Sequence, residues 1–446
     1  MADEVNNSTN VNEAYFSRMY LMNHPTVYTQ DMFFTPEGMM RDELPMKREV
    51  YRMIEPYVTS AIPRKIGNIV DLLRMHAYAA DFPPEEDCIH LMNGTLCPDG
   101  RFEERKNRVV RSRLPMKYDP NAPAPTTWLR YLSDLLYPED IPTFQEYVGY
   151  CLLPSNKGQK MMVIKGSGGE GKSQIGTVLK KLFGDYCKDG SVAKISENRF
   201  ARADLEHVHL MIDDDMRMDA LRQTNYVKSI VTAKGRMDLE KKGKQSYQGY
   251  LYARLLAFSN GDLQSLYDRS DGFFRRQLIL TAKPKDPHRV DDPDLGAKMC
   301  RELPGILLWA FEGLKRLHKN RYRFTESERA ARSREVLKQD TTNAILFMQA
   351  GDYVRRDLSS QETSKDLYAA YCLWCEENSM LPLRARSFSE YLMANASDYG
   401  IEYVNNVYNG QGRRVRGFRG LRILTNGERN RPVRYADEDC PFSDWP

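Results

Sequence analysis

The sequence predicts an α/β fold in which a central parallel sheet is preceded by a mostly helical domain and followed by a winged helix. Three observations support this prediction. Between about residues 155 and 300, short aliphatic runs without alternation are separated by helices and loops, which is typical of buried parallel strands. Upstream, helical patterns are interrupted by breakers such as Pro83-Pro84. Downstream, two helices precede a hairpin whose turn contains Gly410 and Gly412.

The length of 446 residues corresponds to roughly three domains at about 150 residues each. The beginning of the chain shows little hydrophobic periodicity, and its end is polar and proline-flanked. In order, we expect a poorly ordered arm over 1–50, a mostly helical domain over 51–154, the sheet domain over 155–324, a linker helix and winged helix over 325–425, and a flexible tail over 426–446.

Composition excludes several classes of protein. Hydrophobic residues make up 41% and charged residues 28%, which argues against collagen-like, coiled-coil and wholly disordered chains. Because no apolar run approaches the roughly 20 residues of a membrane helix, and the first residues lack the pattern of an export signal, we expect no membrane partner and a cytoplasmic location. In that setting the eight cysteines are expected to be free thiols. Cys372 and Cys375 share the apolar face of a predicted helix, which favours core packing over a zinc or redox role.

The most specific motif is a glycine-rich loop that follows the aliphatic run at 161–164 and precedes a helical pattern. Glycines allow backbone N–H groups to close round phosphate oxygens, and the following helix directs its positive dipole end at them. A lysine then neutralises the outer phosphates, and a hydroxyl ligates Mg²⁺. The sequence therefore predicts a P-loop for ATP and Mg²⁺, whose residues are Gly166, Ser167, Gly168, Gly169, Glu170, Gly171, Lys172 and Ser173.

Polar residues follow the next buried strands. Asp213, Asp214 and Asp215 end the run at 208–212, and acids at that end of a parallel strand face the same crevice as the loop. We expect Asp213 to hold the metal and Asp214 to activate water, with the register open by one. Asn260 ends a third run and is expected to sense the terminal phosphate.

Arg275 and Arg276 precede a fourth aliphatic run, at 277–280. Paired arginines are commonly a solvated face, but at the edge of an ATPase sheet one of them can reach a neighbouring subunit's phosphate as an arginine finger. This role requires an oligomer.

Taken together, the order of motifs resembles superfamily 3 helicases, and within them the phage and plasmid primase-helicase family whose C-terminal half is shared with poxvirus primase-helicases. The resemblance covers roughly residues 85–424 and includes the segment 228–236 between the acidic run and Asn260. It implies an AAA+-like P-loop ATPase that forms a hexameric ring and translocates on single-stranded DNA, with ATP between subunits. The bacterial host cytoplasm is the implied location.

The chain departs from the family pattern at two site positions. The family's loop usually carries Asn where this chain has Glu170, and its acidic pair often ends in Glu where this chain has Asp214. The residues before about 85 are also too few for a primase domain. The resemblance is therefore to the helicase part alone, and a separate primase or initiator is an expected partner.

Two segments are locally basic although the whole chain is only +4. Residues 228–254 hold seven bases and two acids (+5), and residues 384–422 hold seven bases and three acids (+4). In the family the first segment is a hairpin that points into the central channel, whereas the second would bind forked or origin duplex DNA on a winged helix. The DNA-binding candidates are Lys241, Lys242, Lys244, Arg413, Arg414 and Arg416.

Two other functions fit parts of the pattern. One is a DNA-binding initiator or loader in which ATP controls assembly without processive unwinding. The other is a P-loop phosphotransferase for a small molecule, which would have no use for the basic hairpin or for an arginine acting on a neighbour.

Overall fold

The computed structural model describes residues 11–216, 225–260 and 275–429 except 379, 381, 398 and 410, with the backbone alone for 335–342 and 394. The described residues form two compact units, one reaching to Arg332 and the other starting at Ser333. The arm that the sequence predicted over 1–50 is folded from residue 11 onward. Residues 1–10 and 430–446, which include most of the predicted tail, lie outside the described part.

The first unit begins with three helices and a three-stranded antiparallel sheet: α1 (Glu13–Asn23), β1 (Val27–Thr29), β2 (Met32–Thr35), β3 (Gly38–Met40), α2 (Leu44–Ile54) and α3 (Ile62–His76). Helix α1 starts because the Asn12 side chain accepts a hydrogen bond from the Tyr15 N–H. The two amphipathic helices α2 and α3 bury Val50, Ile54 and Leu73 in a core shared with Phe16 and Phe33. This core explains why a segment with weak periodicity is ordered.

A second small antiparallel sheet follows, then two helices: β4 (Ile89–Leu91), β5 (Gly94–Leu96), β6 (Phe102–Glu104), α4 (Thr126–Leu135) and α5 (Ile141–Cys151). Turns at Asn93-Gly94 and Asp99-Gly100 connect these strands. Glu302 caps helix α4 by accepting from the Thr127 and Trp128 N–H groups at 3.0 and 3.1 Å.

The central sheet has five strands, all parallel: β7 (Met161–Lys165), β8 (Cys187–Asp189), β9 (Leu210–Met216), β12 (Arg254–Ser259) and β13 (Gln277–Thr281), in the order β13-β7-β12-β9-β8. Its connections contain α6 (Ser173–Phe183), α7 (Val192–Glu197), α8 (Arg199–Ala203), α9 (Asn225–Thr232) and the hairpin of β10 (Arg236–Leu239) and β11 (Tyr247–Tyr250). Strands β7, β12 and β13 are almost wholly buried, which accounts for their unbroken aliphatic runs.

The strand order determines which residues meet. Strand β12 lies between β7 and β9, with Leu256 opposite Met162 on one side and Ile212 on the other. The carboxyl ends of β7, β12 and β9 therefore lie side by side at one edge of the sheet. Ligands bind at that edge in open parallel sheets.

Two helices complete the first unit's core: α10 (Leu295–Arg301) and α11 (Leu303–Lys319). Helix α11 packs closely on α5 at two glycines. A Cβ at Gly149 would collide with the Ala310 carbonyl, and one at Gly313 would collide with the Gln145 carbonyl. Together with the sheet, α4, α5 and α6, these helices bury one continuous apolar cluster.

The second unit contains a three-stranded antiparallel sheet and helices: α12 (Glu328–Ala350, which starts in the first unit), β14 (Val354–Thr363), α13 (Ser364–Glu377), α14 (Ala385–Ala394), β15 (Glu402–Tyr408), β16 (Arg414–Ile423) and α15 (Asn426–Arg429). The predicted order of two helices and a hairpin is present as α13, α14, β15 and β16. Strand β14, which pairs with β16, was not predicted. Cys375 is buried with Tyr371 and Trp374 in this unit's core, in the packing role that its spacing predicts.

No helix in the described ranges has the length and apolar character needed to cross a bilayer.

One buried histidine makes stability depend on pH. His209 precedes β9, with Nδ1 3.1 Å from the Cys151 carbonyl oxygen and Nε2 2.9 Å from the Ser112 Oγ. Burial, aided by the charge of Arg254, lowers the pKa of His209 to about 3. The unfolded chain therefore binds a proton near pH 6.5 that the folded chain does not bind until about pH 3. Stability contributed by the neutral ring is complete above pH 6.5 and is lost progressively below it.

We expect the free energy of unfolding of the wild type to fall by about 1.4 kcal/mol per pH unit below pH 6.5 on account of this residue. In His209→Gln that contribution disappears. The free energy of unfolding measured with urea should therefore fall less between about pH 7 and pH 5 than it does in the wild type. His318→Gln, at an exposed position, is the matched control and should behave as the wild type. An unchanged pH dependence in His209→Gln would contradict the assignment.

Candidate functional site

The glycine-rich loop connects β7 to α6, as predicted. Gly168, Gly169 and Gly171 have φ values of +101°, +82° and +97°, which residues with a Cβ rarely adopt. The Gly166 N–H donates to the Ser259 carbonyl at 2.9 Å, which fixes the start of the loop to β12. Ser173 is the first residue of α6 and is exposed. The positive end of a helix dipole therefore lies beside the loop amides.

Lys172 and Glu170 form a buried ion pair inside the loop. The Lys172 Nζ lies 2.7 Å from Glu170 Oε2, and the two side chains are 8% and 3% exposed. Glu170 Oε1 also accepts from the backbone N–H groups of Ser167 and, at 2.9 Å, Gly168. Burial raises the pKa of Glu170, but the bonds from Lys172 and the loop amides outweigh it and hold that pKa below its usual value. The carboxylate is therefore ionised at neutral pH.

Asn260, which directly follows β12, joins this group. Its Oδ1 lies 3.4 Å from the Lys172 Nζ. A Cβ at Gly168 would lie 3.8 Å from the same oxygen, so the amide faces the loop closely. This contact follows directly from the adjacency of β7 and β12.

The acidic run is divided by its position at the end of β9. Asp213 is buried, and its Oδ2 accepts from the Val192 N–H at 2.7 Å. Burial raises the pKa of Asp213. Asp214 and Asp215 are exposed and line the cavity beside the loop. The Asp213 carboxylate, which the sequence predicted to hold the metal, is instead bonded to α7. The next two carboxylates, of Asp214 and Asp215, line the loop's cavity and are the candidates for the metal-holding and water-activating roles.

A cavity of about 1070 Å³ extends from the loop. Its walls come from α4, from the segment between β13 and α10, and from the carboxyl edge of the sheet. The non-loop lining includes Thr127, Arg130, Tyr131, Asp134, Leu135, Val290, Pro293 and Leu295. Val290 is 90% exposed, so a large ligand here could cover apolar surface next to polar groups.

Two residues that sequence patterns did not single out hold the loop from outside. The Tyr131 hydroxyl donates to the Gly171 carbonyl at 2.9 Å, and Arg289 Nη1 donates to the Glu170 carbonyl at 2.8 Å. Arg289 is also paired with Asp291 at 2.9 Å. Neither residue belongs to a local motif, and only the packing of α4 and of the 282–294 segment brings them to the loop.

Arg275 and Arg276 lie at the opposite edge of the sheet from the loop. The Arg276 carbonyl accepts from the Met161 N–H at 2.8 Å, at the first residue of β7. The five residues of β7 at about 3.3 Å each therefore separate these arginines from the loop of the same chain. They are not part of the site that their own chain builds.

The hairpin lysines are partly occupied by acids of the same chain. Lys241 Nζ lies 3.2 Å from Glu206 Oε2, and Lys244 Nζ lies 2.7 Å from Asp31 Oδ2. Lys242 is exposed. Arg254, counted as basic in the sequence, is 1% exposed and donates to the carbonyls of 151, 153, 155 and 252. The basic surface of this segment is therefore smaller than its formal +5.

In the second unit, the three arginines predicted to contact DNA lie on or beside β16. Arg414 and Arg416 are both exposed and two residues apart, so they share one face of the strand. Arg414 Nε donates to the Tyr408 hydroxyl at 3.1 Å. Arg413 is exposed at the turn, where its N–H donates to Asn409 Oδ1 at 2.8 Å.

In the part of the chain that the structure describes, no group of three or more His, Cys, Asp or Glu side chains is arranged to hold a metal ion. A Mg²⁺ ion in a P-loop site does not require such a group, since a hydroxyl, one carboxylate and phosphate oxygens surround it.

Comparison with known proteins gives a family-model match over part of the chain and a likeness of fold. Residues 164–276 match the model of a family of unknown function, DUF5906. No curated protein sequence matches the chain. The A form apo structure of the NrS-1 C-terminal region is 11% identical with a TM-score of 0.50, covering 92% of this chain and 100% of that one. An apo structure of the NrS-1 C-terminal region (305–718) gives the same values. At this identity the likeness is one of fold.

Proposed function

We propose that the chain is a Mg²⁺-dependent ATPase that acts as a ring-forming DNA helicase, translocating on single-stranded DNA in the replication of a phage, plasmid or integrated element. One observation carries the proposal. The glycine-rich loop, Lys172, Asn260 and the carboxylates of Asp214 and Asp215 all lie at the carboxyl edge of one parallel sheet, around one cavity. The DNA part rests on the motif resemblance to superfamily 3 helicases.

The residues present fit Mg²⁺ and ATP. Ser173 would hold Mg²⁺ together with Asp214, which lines the cavity, rather than with the buried Asp213. The metal supplies positive charge that stabilises the phosphates during transfer to water. Lys172 neutralises the outer phosphates, Asn260 orients the attacking water, and Asp215 is positioned to accept its proton. The cavity beyond the loop has room for the nucleoside between α4 and Val290.

A ring would bring a second chain to the site. Arg275 and Arg276 lie a strand's length from their own loop, so an arginine finger from this pair would have to act on a neighbour. We therefore propose a homo-oligomer, a hexamer in the implied architecture, with ATP at each interface. A separate primase or initiator would complete replication.

A second candidate is the initiator or loader without processive unwinding. The pairing of Lys241 with Glu206 and of Lys244 with Asp31 favours it, because lysines bound to acids of the same chain are less available to DNA phosphates. In that case the exposed arginines of β16 would provide the DNA contacts, in the winged helix that the sequence predicts.

Unwinding of a forked duplex distinguishes the two functions. For a helicase, Lys241→Ala with Lys242→Ala should reduce ATP-driven unwinding about tenfold or more, because these side chains would grip the translocating strand. Arg413→Ala with Arg414→Ala should mainly weaken duplex binding. An assembled ring that hydrolyses ATP but never separates a fork, and whose duplex binding depends only on the arginine pair, would contradict the helicase and support the initiator.

A further inference from the structure

We infer that the Glu170 carboxylate occupies the place that a nucleotide phosphate would take in the loop, so that nucleotide binds in competition with the chain's own carboxylate. This inference rests on the proposed ATP site and adds a determinant of its affinity. The resembled family usually carries Asn at this position, so the competing carboxylate is a feature of this chain and not of the motif.

The carboxylate uses the groups that a phosphate needs. A P-loop binds phosphate with backbone N–H groups and the lysine ammonium. Here the Ser167 and Gly168 N–H groups donate to Glu170 Oε1, and the Lys172 Nζ lies 2.7 Å from Oε2. Both oxygens are therefore bonded by phosphate-binding groups. With the Glu170 side chain 3% exposed, water does not compete for these bonds.

The surrounding loop accommodates this arrangement. A Cβ at Gly166 would lie 2.6 Å from Glu170 Oε1 and 2.6 Å from the Lys172 Nζ, so the ion pair packs directly on the glycine backbone. Arg289 holds the Glu170 carbonyl at 2.8 Å, which fixes the main chain from which the side chain turns inward. Backbone and side-chain contacts therefore both fix the position of the Glu170 carboxylate.

Competition has a definite consequence for binding. An incoming phosphate must displace the carboxylate from Lys172 and the loop amides before it makes its own bonds. Charge-assisted bonds are about twice as strong as neutral ones, so an uncharged side chain of the same shape would be displaced more readily. The gain in affinity on removing the Glu170 charge should be the same for any polyphosphate, because the nucleobase makes no contact with this carboxylate.

The test is calorimetric titration of the full chain with ADP and with inorganic tripolyphosphate in the presence of Mg²⁺. Glu170→Gln keeps the shape of the side chain and removes its charge, and Glu170→Ala removes both. We expect both variants to bind both ligands about tenfold more tightly than the wild type. Glu197→Gln, an exposed acid on α7, controls for net charge and should leave both affinities unchanged.

Equal affinities in wild type and Glu170→Gln, or weaker binding by the variant, would overturn the inference while leaving the nucleotide site intact. Equal tightening of tripolyphosphate binding in Glu170→Gln and Glu197→Gln would assign the effect to net charge and also overturn it. If no form, including the wild type, binds ADP or tripolyphosphate, the proposed function itself fails. Far-ultraviolet circular dichroism confirms that each variant is folded.

Discussion

Lys172→Ala is expected to reduce ATP hydrolysis by about 100-fold or more. The ammonium lies within 3.4 Å of Asn260 and 2.7 Å of Glu170 in the middle of the loop. In the proposed function it neutralises the outer phosphates, and losing one preorganised charge contact of this kind costs about 3 kcal/mol in the transition state. Phosphate release from ATP at saturating Mg²⁺ measures the effect.

Lys180→Ala is the matched control for this substitution. Lys180 lies on α6, the helix that directly follows the same loop. Its side chain, however, is 43% exposed and paired with Asp189 at 2.7 Å. The rate should stay within about twofold of the wild type. Retention of most of the hydrolysis rate by Lys172→Ala would contradict the assignment of the loop as the nucleotide site.

Arg254→Met is expected to lower the free energy of unfolding by about 3 kcal/mol. The guanidinium is buried and donates to four carbonyl groups at the junction of α5 and β12. Methionine fills much of the volume but removes the guanidinium donors from those acceptors, and each buried group left unsatisfied costs about 1–3 kcal/mol. Removing the buried positive charge of Arg254 offsets some of this loss of stability.

Chemical denaturation with Arg236→Met as control tests this expectation. Arg236 starts β10 in the same basic segment, and its partner Asp81 is half exposed. An exposed ion pair contributes about 0–1 kcal/mol. Equal destabilisation by the two substitutions would mean that the four carbonyl contacts do not stabilise the fold.

The sheet and the loop were predictable because their signals are local. The aliphatic runs before Lys172, Asp213 and Asn260 mark buried strands, and a polar residue at the end of each lies at one edge when the strands are parallel. The order of strands requires long-range pairing, which no local pattern encodes. That order decides that Asn260 contacts Lys172.

Other features depend on packing and could not be predicted from local patterns. Arg254 counts as one positive charge in the sequence, but in the structure it is a buried donor. Asp31 reaches Lys244 because the first antiparallel sheet folds against the hairpin, and Glu206, which lies between α8 and β9, reaches Lys241. Residues 11–50 have weak periodicity, and their order comes from a core shared with α3. In each case, distant residues determine the environment.

We propose that nucleotide hydrolysis by this chain takes place in an assembled ring and is coupled to single-stranded DNA. The most direct test measures the ATPase rate and the mass of the assembly together, with and without single-stranded DNA, in the wild type and in Lys172→Ala. We expect a ring-sized assembly whose hydrolysis rises severalfold with DNA and is lost in the variant. A strictly monomeric chain whose hydrolysis is indifferent to DNA would contradict it.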